Sequence, residues 1–115
     1  MKFLRAVICG TAIFSLCGVA HAGVCYGTVG AIYVDSSNNV LIRPSFRNDW
    51  LQICDLVDSW NGIDPVTCKS WLALATTLRV TQEQIVISYS TSTACDALPT
   101  YAGAPPPGYI MYYLP

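Results

Sequence analysis

Four cysteines, Cys25, Cys54, Cys68 and Cys95, follow the apolar start of the chain, and they limit what it can fold into more than any other feature. An even number of cysteines in a short exported chain reads as two disulfides. Three pairings are open to them. The spacings fit neither paired C-x-x-C zinc knuckles nor a redox C-x-x-C motif. No histidine follows His21 to complete a mixed metal site. A domain of this size can also bury a modest core, so the bridges supplement packing and do not replace it.

The oxidising compartment is read from the first residues. Lys2 and Arg5 precede an almost wholly apolar run from Ala6 to Val19, and Ala20-His21-Ala22 precedes Gly23. This is the order of a charged n-region, an apolar h-region and a small-x-small cleavage site. The apolar run is shorter than the roughly 20 residues a membrane-spanning helix needs. We therefore expect a signal peptide over 1–22, cleaved after Ala22, and a single secreted or periplasmic domain over 23–115 with no membrane span. A lipid-attachment reading at Cys17 meets Leu16 where a small residue is wanted.

Cleavage removes His21, Cys9 and Cys17, and leaves four cations, Arg43, Arg47, Lys69 and Arg79, against seven carboxylates. A net charge of about minus three makes nucleic acid and anionic membranes poor partners. Without histidine or a free thiol, nucleophilic triads of the usual kind are excluded. Asp55 and Asp58 could imitate a glycosidase pair, but no apolar flank pushes their pKa values apart, so solvated loop acids are the better reading. No phosphate cradle or calcium loop is present. The expectation is a protein that is not an enzyme and needs no cofactor.

Val24 to Val34 is rich in β-branched and aromatic residues and precedes the turn sequence Asp35-Ser36-Ser37-Asn38-Asn39, which predicts a strand and a hairpin. Val40 to Phe46 alternates as the return strand, with Pro44 placed at an edge or bulge. Trp50 to Cys54 is a third strand. Asp64 as N-cap with Pro65 at the first helical position starts a helix, in which Trp71, Leu74, Ala75 and Leu78 form one buried face. Gln84 to Ser90 is a fourth strand, and Thr91 to Gly108 a long proline-bearing loop. Tyr109 to Leu114 is a last strand, apolar on both faces, which implies a second burial partner.

This order predicts a mainly β, disulfide-stapled fold: a small five-stranded Greek-key barrel, the OB-fold, with one helix between strands three and four. An open mixed sheet with the helix on one face is the competitor. Given that order, we expect Cys54 to pair with Cys68, from strand three to the helix start. We also expect Cys25 to pair with Cys95, tying the first strand to the late loop.

The segment Gly27 to Leu114 resembles the exported B-subunit-like proteins related to the subtilase cytotoxin and typhoid toxin B subunits. The resemblance rests on Val29-Gly30-Ala31-Ile32-Tyr33-Val34 with its hairpin, Cys54 ending the third strand, the helix Trp71 to Leu78, Gln84 to Tyr89, and Tyr109 to Tyr113. It implies the OB-fold and a glycan or host-receptor ligand. It also implies self-association, up to a pentamer that carries an enzymatic A subunit. Where the toxin members use a serine beside the first strand to bind a sialylated sugar, this chain has Tyr26, Gly27 and Thr28, so the resemblance makes Thr28 the candidate hydroxyl.

From the residues themselves, tyrosines, tryptophans and amides with little charge suit sugar or protein contact. The candidate ligand-binding residues are Tyr26, Thr28, Arg43, Arg47, Trp50 and Trp60. An arginine fork can hold an acidic sugar's carboxylate while a tryptophan covers its apolar face. The leading expectation is a secreted, non-enzymatic glycan- or receptor-binding module. The alternative is a periplasmic inhibitor or immunity-type protein that binds another protein.

Overall fold

A computed structural model describes residues 23–114; the expected leader over 1–22 lies outside the described residues. The chain forms β1 (Val24–Gly27), β2 (Val29–Val34), β3 (Asn39–Pro44), β4 (Leu51–Asp55), the helix α1 (Pro65–Thr81), β5 (Gln84–Tyr89) and β6 (Pro107–Tyr113). Two three-stranded antiparallel sheets result, in the orders β1-β5-β6 and β2-β3-β4. Buried Val40, Ile42, Leu51, Ile53, Leu78, Ile85, Ile87 and Leu98 fill the space between the sheets and α1.

The described strands number six rather than the five expected, and the helix follows the fourth strand rather than the third. The cause lies in the first segment. The run Val24 to Val34 is rich in β-branched and aromatic residues, yet it breaks at Thr28, next to Gly27, and its halves join different sheets: β1 pairs with β5, and β2 with β3. At the break the Thr28 amide donates to Ser45 Oγ at 2.9 Å and the Ser45 amide donates to the Thr28 carbonyl at 2.9 Å. Gly27 admits this approach. A Cβ there would lie 2.5 Å from Ser45 Oγ and 3.2 Å from the Phe46 nitrogen. Gly27→Val should therefore destabilise the fold by about 1–3 kcal/mol through overpacking. Gly108→Ala, whose added carbon meets nothing nearer than 3.6 Å, should be close to neutral in the same urea titrations.

The β2–β3 hairpin turns through Asp35 to Asn38, with Asn38 at φ 69° and its amide donating to the Asp35 carbonyl. The side-chain hydrogen bond from Asn39, with the Asn39 and Ser37 amides, holds the Asp35 carboxyl below its ordinary range. Pro44 ends β3 opposite Val29, beside the register shift at Gly30 and beyond the stretch that pairs with β4, so its missing N–H costs no ladder bond.

Asp64 caps α1, its Oδ1 accepting from the Thr67 amide at 2.8 Å, which lowers its pKa. The helix runs to Thr81 and closes on Gln82, whose left-handed backbone lets its amide donate to the Leu78 carbonyl. Its inner face is Cys68, Ala75 and Leu78, with Trp71, Leu72 and Leu74 half-buried against the core. Cys54 and Cys68 are bonded, both fully buried, and pin the end of β4 to the first turn of α1. Cys25 and Cys95 are bonded across a separation of 70 residues and pin β1 to the short 3-10 turn Cys95–Ala97. The last strand begins at Pro107, earlier than expected, because the first residue of an edge strand tolerates proline.

Candidate functional site

Side chains at paired positions of a sheet share a face, and every second residue along a strand returns to it. In β2-β3-β4 this places Tyr33, Leu41 and Gln52 in one row across three strands, and Ala31 with Arg43 in the next row. Trp50, the residue before β4, lies edge-on against Tyr33, with ring centroids 4.6 Å apart and planes at 63°. Val40, Ile42 and Pro44 occupy the opposite face of β3 and are buried. Leu41 faces outward yet is only 3% exposed, because the aromatic pair and Gln52 stand around it.

The backbone at this face is held on both sides. The Trp50 amide donates to Asp49 Oδ1 at 2.7 Å, and the Trp50 carbonyl accepts from the Tyr101 amide at 2.7 Å. The Gln52 amide donates to the Tyr101 carbonyl at 3.2 Å, so Leu51 and Tyr101 form a parallel bridge. Gln52 itself is buried, its Nε2 donating to Asn39 Oδ1 at 2.9 Å. Arg43 is exposed. The result is an open, firm platform: two half-buried rings and an exposed guanidinium above the buried Leu41 and Gln52. Among the described residues there is no enclosing cleft, so a ligand here would lie across the sheet.

Of the six candidate residues, the structure brings Arg43 and Trp50 together on this face. Tyr26 lies on the outward side of β1-β5-β6, edge-on to Tyr113 at 5.7 Å. Thr28 stands at the crossing between the sheets with its backbone bonded to Ser45. Arg47 turns to the late loop, where its Nε donates to the Leu98 carbonyl at 2.8 Å. Trp60 is half-buried against the core, bonded through its backbone to Ile63 around the tight turn Asn61-Gly62. Tyr33, Gln52 and Asn39 belong to the platform and were not among the six. The alternation of Ala31 and Tyr33, carried across the Asp35 to Asn38 turn, is the signal that could have found Tyr33.

Other groups are committed elsewhere. Asp55 Oδ1 accepts from the Val57 and Asp58 amides, each at 2.8 Å, and shapes the loop after β4. Burial pushes the Tyr89 phenol far above its ordinary pKa, so it stays protonated within the core. Among the described residues no group of three or more His, Cys, Asp or Glu side chains is placed to hold a metal ion. No described helix is long and apolar enough to cross a membrane.

The described chain is thus a mainly β, disulfide-bonded domain of two antiparallel sheets and one helix. Comparison with protein-family models, with curated proteins and with solved structures finds no match to it.

Proposed function

We propose that this protein is a secreted, non-enzymatic binding module that takes glycans on the outward face of β2-β3-β4. The observation that carries the reading is the half-buried Tyr33–Trp50 pair on the same face as the exposed Arg43. A pyranose packs its C–H face on an aromatic ring, and a guanidinium recognises a carboxylate with two parallel bonds. The favoured ligand class is therefore a glycan carrying an acidic sugar.

The expectation of a small Greek-key barrel draws support from the strand order. Taken as halves of one bent strand, β1 and β2 give the strand sequence of a five-stranded Greek-key barrel, with the helix after its third strand. The parallel bridge between Leu51 and Tyr101 joins β4 to the loop that precedes β6.

A glycan array probed with the exported protein tests the proposal. Wild type is expected to bind acidic glycans. Trp50→Ala and Arg43→Ala should each weaken binding about tenfold or more, the scale of one lost stacking or charge-assisted contact. Arg47→Ala, whose guanidinium is engaged by Leu98, should bind like wild type. Absence of glycan binding by wild type, or full binding by both the Trp50 and Arg43 variants, would overturn it.

A further inference from the structure

The second sheet presents a different surface. Its outward face carries Val24 and Tyr26 from β1, Gln84, Val86 and Ser88 from β5, and Tyr109, Met111 and Tyr113 from β6. Val86 is sunk in the middle at 1% exposure, while Val24, Tyr26, Tyr109, Met111 and Tyr113 remain 37–52% exposed around it. No lysine, arginine, aspartate or glutamate occupies any outward position of these three strands.

We propose that this face is the contact between two copies of the chain, packed sheet on sheet about a two-fold axis. Two features select a copy over another occupant. The first is charge: the described chain carries four cations against seven carboxylates, so copies repel one another. They repel least where both present an uncharged surface, and the same surface offers nothing to steer a charged partner. The second is area. Covering the exposed parts of these five side chains removes on the order of 400 Å² per copy from water, and with the partly exposed Gln84 and Ser88 between them two copies approach the roughly 1,000 Å² that a specific interface must clear. An interface at that lower bound assembles weakly, in the micromolar range. The packing follows from the sheets themselves, which stack about 10 Å apart with their inward rows interleaved. Val86 lies at the middle of the contact, with Tyr26 and Met111 on either side of it, and the tyrosine hydroxyls reach its wet rim.

The contact is independent of glycan binding, because it uses the other sheet. Sedimentation equilibrium of the exported protein, from about 1 µM to about 500 µM, reads it directly. Wild type should pass from the mass of one chain to that of two. Tyr26→Glu and Met111→Glu, which place a charge on the face at exposed positions, should remain at one chain throughout, with melting curves showing both variants folded. Arg43→Ala should dimerise like wild type, and Met111→Glu should keep the glycan binding of wild type. Wild type at one chain over the whole range overturns the proposal. So does dimerisation indifferent to both substitutions, and so does an assembly of more than two chains.

Discussion

Replacing Cys25 and Cys95 together by alanine is expected to lower the stability of the folded protein by about 4 kcal/mol, against about 3 kcal/mol for the same change at Cys54 and Cys68. The difference comes from the unfolded chain. The first bridge closes a separation of 70 residues and the second one of 14, and a cross-link restricts the unfolded ensemble more when the loop it closes is longer. The native surroundings favour the same ranking. β1 has only four residues and pairs with β5 alone, so the Cys25–Cys95 bond supplies a large part of what holds it. Cys54 lies in β4, which has β3 beside it and α1 against it. Out of a total of about 5–15 kcal/mol typical of domains, losing the longer bridge removes a large fraction. Urea unfolding without reductant measures both losses. The reverse ranking would show that packing around the two fully buried sulfurs of Cys54 and Cys68 outweighs the constraint on the unfolded chain.

Leu51→Ala is expected to cost about 3–4 kcal/mol, within the range for truncating a buried leucine. Leu51 is fully buried at the first position of β4, opposite Ile42. Its backbone neighbours carry the bonds to Tyr101 that join β4 to the late loop. A cavity there has little room to relax, because β3 covers one edge of Leu51 and the Tyr101 bridge the other. Calorimetric melting should show a large drop in midpoint with folding still cooperative. A loss below about 1 kcal/mol would mean that this corner of the core repacks freely.

Several elements could be read from local chemistry because local chemistry determines them. Asp64-Pro65 starts a helix in any surroundings, since the carboxylate meets an amide that lacks a helical partner and the proline lacks only a spare N–H. The polar run after Val34 turns because Asp35 bonds to the backbone just beyond it. The break at Thr28 had only Gly27 as a local signal. Val24 to Val34 reads as one strand, and only Ser45 and Phe46, brought back by the hairpin, divide it.

The candidate site shows the same division. Arg43 and Trp50 could be suggested by residue type, but assembling a face needs the register of three strands. That register adds Tyr33 and Gln52. Arg47 is four positions from Arg43 and chemically identical, yet the turn after β3 carries its guanidinium to Leu98. Trp60 lies in a polar stretch that suggests exposure, and the tight Asn61-Gly62 turn, with Gly62 at φ 87°, folds its ring back toward the core. Proximity in sequence was a poor guide for both.

The central claim, that the outward face of β2-β3-β4 holds a glycan, is tested most directly by locating the ligand. Backbone amide shifts of the isotope-labelled protein, followed during titration with an acidic oligosaccharide, give its position residue by residue. The account predicts perturbations concentrated at Ala31 to Tyr33, Leu41 to Arg43 and Trp50 to Gln52, with the Trp50 indole N–H among the largest. Shifts confined to the β1-β5-β6 face, or no shifts at saturating sugar, would contradict it.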